Sequence, residues 1–253
     1  MRTLKLTVSY DGTRFVGWQR QAEGESIQGL LEDALGRLEG GPVTVQGAGR
    51  TDAGVHAVAQ VASAAVTVRH DAATILRAVN AQLPPDIRVT DVLDVADSFQ
   101  ARFNARAKAY RYVIANVPAA NPFIWRFAWH IPEPLDRASM ETAAAALIGV
   151  HDFAAFQSAS TEVATSVRTL TESAIRDGHA ELPDAVLHQL LVYDVSGNGF
   201  LRHMVRSIVG TLVQVGRGRR PVASMRELLE SGSRASAGPK APAHGLFLVR
   251  VEY

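Results

Sequence analysis

The chain contains no cysteine. That excludes disulfides, thiolate metal sites and cysteine nucleophiles, and it leads us to expect a reducing, cytoplasmic setting. No apolar run approaches the roughly 20 residues of a membrane helix, and MRTLKLTVSYDG lacks the continuous apolar core of a signal peptide. No membrane association is expected. There is no HExxH, no EF-hand and no paired-carboxylate spacing, and no histidine stands three or four residues after His56. The expectation is no metal. A Gly-Lys-Ser/Thr phosphate loop is missing, as is the RNP1 pattern of an RNA-recognition motif. Lysine is scarce: only three of the 26 basic residues are Lys.

The basic residues that are present are unevenly placed. The formal net charge is +1, from 26 basic and 25 acidic residues. Ser98 to Pro132 has no Asp or Glu but holds Arg102, Arg106, Lys108, Arg111 and Arg126. Val195 to Arg226 has none either and holds Arg202, Arg206, Arg217, Arg219, Arg220 and Arg226. A coding bias accounts for Arg over Lys, but not for the missing acids. The planar guanidinium fork suits phosphate, so a nucleic acid or another polyanion is the expected partner.

With 253 residues, 47% of them hydrophobic, the chain can build one large domain or two ordinary ones. Thr3 to Tyr10 alternates and reads as a strand. Ile27, Leu30, Leu31, Ala34, Leu35 and Leu38 form one helical face, with Ser26 as N-cap and Gly40-Gly41-Pro42 as the stop. Val43 to Gln46 and Ala57 to Val68 read as strands, Asp71 caps a helix that stops at Pro84-Pro85, and Ile87 to Val95 is a strand. The second half repeats the order. It has strands at Ala107 to Val117, Val167 to Arg176, Val186 to Val195 and Leu246 to Val251. Its helices are one capped by Asp136, one over Leu201 to Val215 and a short one near Met225 to Leu229. This gives an α/β (α+β) class: two ferredoxin-like β-α-β-β-α-β units, with mainly antiparallel sheets backed by helices and a cleft between them. The units are expected at 1–105 and 106–253. The Ser, Gly, Ala and Pro-rich segment 231–242 reads as a mobile loop.

Four segments bear on chemistry. GAGRTDAGVHA (47–57) sets Asp52 beside Arg50 in a glycine-rich loop. The third Gly is misplaced for a dinucleotide fingerprint. Asp52 is either a turn former bonded to local amides or an ionised carboxylate held by a neighbouring Arg, able to act as nucleophile or base. His56 is either a general base or a packing residue at the strand start. In AKAYRYVIANV, alternation puts Tyr110, Tyr112 and Ile114 on one face, as core or as a surface for stacking on a base. In GNGFLRHMVR, Arg202 and Arg206 lie in the expected first helical turn, where the helix dipole disfavours cations. They are either solvated or turned to an anionic partner. The loop YDGTRFVGWQRQ mixes aromatics with Arg14, Gln19 and Arg20. Two rival readings stand beside an RNA enzyme: a non-catalytic RNA-binding module, and a phosphotransfer or hydrolytic enzyme, which would need further acids to hold a metal.

The segments YDGTRFVGWQRQ, GAGRTDAGVHA, FQARFNARAKAYRY, HDFAAF, GNGFLRHMVR and APAHGLFLVRV occur in this order. Together they resemble the tRNA pseudouridine synthase A family along essentially the whole chain, with GRTDAGVHA the most specific stretch. The resemblance implies that Asp52 is the catalytic nucleophile and that Tyr110 lies on the target uracil. It also implies that Arg206 pairs with Asp52 and helps open the RNA, and that Arg50 steadies the loop. The substrates implied are uridines 38, 39 and 40 of the tRNA anticodon stem-loop. They would be bound by a homodimer in which each tRNA contacts both subunits, with no cofactor. Further RNA contacts are then expected from Arg14, Gln19, His56, Arg102, Arg106, Lys108, Arg202, Arg217, Arg219 and Arg220.

Overall fold

A computed structural model describes residues 1–158, 164–178 and 190–253. The chain forms two compact units, one of Met1–Arg106 with Phe247–Tyr253, the other of Ala107–Leu246.

In the first unit the elements are β1 (Arg2–Tyr10), α1 (Ile27–Glu39), β2 (Val45–Gly47), β3 (His56–Val66), α2 (Ala72–Asn80) and β4 (Ile87–Val95). This is the expected β-α-β-β-α-β order. The caps read from sequence are present: Ser26 Oγ accepts from the Gly29 amide at 3.2 Å, and Asp71 Oδ1 from the Thr74 amide at 2.6 Å. β1 lies between β3 and β4, antiparallel to both. Leu4, Leu6 and Val8 of β1 are buried with Ile27, Leu31 and Leu35 of α1 and Ile75 and Val79 of α2 among the core residues. Period-2 alternation along β1 against a 3.6-residue stripe along α1 is what puts these side chains in one layer.

The other edge of β3 is shared. β2 pairs with its C-terminal half, antiparallel. β10 (Leu246–Glu252) pairs with its start in parallel, Phe247 opposite His56 and Leu248 opposite Ala57. Chain order alone assigns this closing strand to the second half of the molecule. The open edge beside His56 is what it fills instead, because β2 is too short to cover β3. Tyr253, whose hydroxyl donates to Ala101 O at 2.9 Å, packs with Val251 and Phe99 on Ala48, Val61 and Ala101.

In the second unit the elements are β5 (Ala107–Ala115), β6 (Trp129–His130), α3 (Arg137–Ala145), β7 (Gly149–Asp152), β8 (Val167–Asp177), β9 (Leu190–Gly197), α4 (Met204–Gly216) and α5 (Ser224–Ser231). The sheet runs β5-β9-β8-β7, antiparallel throughout, with β6 parallel to β5. With the short β6 and β7 left out, the path β5-β9-β8 sets the first strand beside the third and the third beside the second, as in the β1-β3-β2 path of the first unit. Asp136 caps α3 through the Ser139 amide at 3.1 Å, as expected. β6 and β7, of two and four residues, are additions that no period in the sequence reveals. Residues 186–189 of the strand expected over Val186 to Val195 lie outside the described residues.

Two expectations about the second unit change. α4 begins at Met204, not Leu201, because His203 has φ 66°, and a left-handed residue ends any right-handed helix at that point. Arg202 therefore precedes the helix, and only Arg206 lies in its first turn. The segment 231–242, expected as a mobile loop, is anchored at its C-terminal end. Gly238 N donates to Thr211 Oγ1 at 3.0 Å, Ala241 N donates to Arg206 O at 3.0 Å, and Ala241 is fully buried. It crosses α4 at Gly210, where an added Cβ would sit 1.6 Å from Pro239 O.

Candidate active site

Asp52 is held by two loops laid side by side. The loop after β1, residues 11–26, runs along the 48–55 loop and meets it in an antiparallel bridge between Gly17 and Asp52. Trp18 N donates to Thr51 O at 3.0 Å, and Val55 N donates to Asp52 O at 3.1 Å. The same outer loop is pinned to α1 by Ile27 N to Gly17 O and Gln28 N to Trp18 O, and by the buried rings of Phe15 and Trp18. Gly17 has φ 111°, and a Cβ there would stand 2.7 Å from Thr51 O, so no other residue fits the bridge. Asp52 is half-buried and Arg50 exposed. A backbone tied on both sides with a carboxylate at its tip is a preorganised position for a reacting group.

His56 is part of the support. Its side chain is 1% exposed and its ring stacks on Phe247, with centroids 4.7 Å apart. Gly12 N donates to His56 Nδ1 at 3.0 Å. A backbone N–H can only donate, so Nδ1 accepts, and its 3.2 Å approach to Asp11 Oδ1 is not an ion pair in that state. The packing reading of His56 is the one its surroundings favour.

In the second unit Tyr110 sits on β5 opposite Val195, 8% exposed, with the ring of Phe200 edge-on at 5.0 Å. Tyr112 shares its face and donates to Pro242 O at 2.8 Å. The alternation read from sequence holds: Tyr110, Tyr112 and Ile114 are buried, while Arg111 points to the other face. Arg206 Nε donates to Ala241 O at 2.8 Å, while Ala241 N returns a bond to Arg206 O. That reciprocal pair fixes the stem of the guanidinium against α4. His244 lies near it. Burial holds its imidazole below the usual range, a backbone bond with Ala128 opposes this, and the Arg206 charge adds to the lowering.

The remaining candidates spread out. Arg14 is ion-paired with Asp86, Nε to Oδ2 2.6 Å, and with Glu25. Gln19 is exposed on the outer loop. Arg102 lies 5.4 Å over the Phe103 ring, and Arg106 is exposed with its amide bonded to Glu252 O. Lys108 is half-buried two residues before Tyr110, and Arg202 is exposed. Arg217 pairs with Glu133 at 2.9 Å. Arg217, Arg219 and Arg220 follow the C-terminal end of α4, whose last residue, Gly216, lies about 15 Å along the axis from Arg206 at about 1.5 Å per residue. Arg111, from an acid-free window, makes a bidentate pair with Asp194 at 2.7 and 3.0 Å. Sequence reasoning missed Tyr10, Gln60 and Phe200. Phe200 lay inside the GNGFLRHMVR segment, but nothing in its spacing linked it to Tyr110. Among the described residues no group of three or more His, Asp or Glu could hold a metal, and no helix is long and apolar enough to cross a membrane.

A family model described as tRNA pseudouridine synthase matches residues 6–104 and 143–253. That defines the class: an isomerase that converts uridine to pseudouridine in tRNA. Curated proteins called tRNA pseudouridine synthase A align with the whole chain. The protein from Syntrophotalea carbinolica is 42% identical over 97% of its own length, that from Myxococcus xanthus 43% over 92%, and that from Solibacter usitatus 44% over all of it. The chain belongs to the tRNA pseudouridine synthase A family. A solved Cbf5-Nop10-Gar1 complex aligns with 97% of the chain and 48% of its own, at TM-score 0.38 and 12% identity, too distant to support any argument.

Proposed function

We propose that the chain isomerises uridines 38, 39 and 40 of the tRNA anticodon stem-loop, with Asp52 as the nucleophile. The observation that carries this reading is the Gly17–Asp52 bridge, which fixes one carboxylate at a loop tip inside the intact GRTDAGVHA stretch. Pseudouridine formation breaks the N1–C1′ glycosidic bond, turns the base and joins C5 to C1′. The C5 proton leaves, N1 gains one, and no water or electron is consumed. A single carboxylate therefore suffices, whether it attacks C1′, adds at C6 or removes the 2′ proton. Tyr110 lies on the uracil and assists in moving the C5 proton. Arg206, its stem fixed by Ala241, pairs with Asp52 and helps open the RNA. Extruding the target from the stack costs roughly a few kcal/mol. Phosphate contacts by the basic residues offset this.

The protein works as a cytoplasmic homodimer that needs no cofactor, each tRNA touching both copies. Phe123 and Trp125, 77% and 62% exposed in one short segment, support an interface on this chain. Light scattering should give twice the chain mass, and a monomeric mass at working concentration would remove the dimer. The positional claim is tested with transcripts tritiated at uracil C5. Wild-type tRNA should release tritium, and the same transcript with cytidine at 38, 39 and 40 should not. Equal release from both would refute the assignment of positions.

A further inference from the structure

Beneath the Asp52 loop lies a buried polar network that the chemistry above does not use. Thr51, 7% exposed, has Oγ1 2.8 Å from the hydroxyl of Tyr10 at the end of β1, itself 4% exposed. Gln60 of β3 is fully buried. Its Nε2 donates to Gly49 O at 2.9 Å, its Oε1 accepts from Val61 N at 3.2 Å, and its side chain also hydrogen-bonds the Tyr10 hydroxyl. Gly49 and Thr51 bracket Arg50 and immediately precede Asp52. The loop is thus tied to the sheet by side chains as well as by the backbone bonds on its outer side.

Three polar side chains in one buried spot are costly unless each is paired, and an apolar trio would pack there with no such demand. What the network adds is attachment. One Gln60 amide hydrogen goes to Gly49 O and the other to the Tyr10 oxygen, and the Tyr10 and Thr51 hydroxyls share a hydrogen bond that either can donate. A buried chain of this kind holds the loop only while every member keeps its partner. Burial also pushes the Tyr10 phenol above its usual range, so it stays protonated at every working pH.

We propose that Tyr10 is a positioning residue for the isomerisation: its hydroxyl, through Thr51, sets where the Asp52 carboxylate stands. It touches no substrate. The inference rests on the reading of Asp52 as nucleophile. A reacting group displaced by about 1 Å costs on the order of 100-fold in rate, and losing one of several tethers allows a smaller slip. Tyr10→Phe removes one oxygen and keeps the ring. At a temperature well below both melting points it should lower kcat about tenfold, leaving KM and the tRNA Kd within about twofold. Thr51→Val should do the same, and Thr51→Ser, which keeps the hydroxyl, should restore wild-type kcat. The double variant Tyr10→Phe/Thr51→Val should fall no further than either single one. A wild-type kcat for Tyr10→Phe overturns the proposal. So does a Thr51→Ser enzyme as slow as Thr51→Val, or a loss carried wholly by tRNA affinity. If Tyr10→Phe does not fold, the Thr51→Ser and Thr51→Val pair decides alone. Asp52→Asn run beside them separates the two layers. If it turns over normally, the nucleophile assignment fails. If it is dead while Tyr10→Phe is normal, only the positioning role fails.

Discussion

Gly12→Ala should damage catalysis more than its size suggests. A Cβ on Gly12 would stand 2.0 Å from the carbonyl oxygen of Val55 and 2.6 Å from its carbonyl carbon. Ordinary contact begins at 3.4 Å, so the two backbones must part by about 1.4 Å, the difference of the two distances. Neither partner can give by turning a side chain. Gly12 N is bonded to His56 Nδ1, and Val55 N to Asp52 O, so the strain runs to the start of β3 and into the Asp52 turn. Overpacking of this kind costs about 1–3 kcal/mol of stability. If about 1 Å of the displacement reaches the carboxylate, kcat falls on the order of 100-fold. The assay is tritium release from C5-labelled tRNA at saturating substrate, beside a thermal melt of the same preparation. A Gly12→Ala enzyme with wild-type kcat and melting point would refute the claim that the 11–26 loop positions Asp52.

Other outcomes follow from the second unit. His244 has a lowered pKa in the fold, so below its unfolded value of 6.5 the unfolded chain takes up a proton that the folded one resists. Its contribution to stability is whole above that pH and is lost as pH falls below it. Melts from pH 8 to pH 5 should therefore show a shallower decline in His244→Asn than in wild type, and parallel curves would contradict this. Arg219→Ala and Arg220→Ala should each reduce the salt slope of tRNA binding by about 1 if each meets one phosphate. Arg217→Ala, whose guanidinium is already paired with Glu133, should reduce it less. An equal reduction at Arg217 would show that its ion pair opens on binding.

Much of the first unit was legible because its signals are local. The alternation of β1, the stripe of α1, the caps Ser26 and Asp71 and the stop at Pro84-Pro85 each depend on residues a few positions apart. Pairing between distant segments was not legible in the same way. β10 joins β3 in parallel across most of the chain, and no pattern in LFLVRV names its neighbour. The acid-free windows hide ion pairing for the same reason. Arg111 has no acid near it in sequence, yet antiparallel register sets it opposite Asp194. The left-handed His203 was hidden because a helical stripe that begins at Leu201 continues through it. At the site, the motif singled out Asp52, but the Tyr10, Thr51 and Gln60 network depends on where β1 ends against β3, which only the fold brings together.

The central claim is that Asp52 does chemistry rather than only shaping a turn. The most direct test uses tRNA tritiated at uracil C5, with wild type and Asp52→Asn compared at equal tRNA occupancy. Wild type should release tritium with turnover, and Asp52→Asn should bind the tRNA with near wild-type affinity and release none. Release by Asp52→Asn at the wild-type rate would contradict the account.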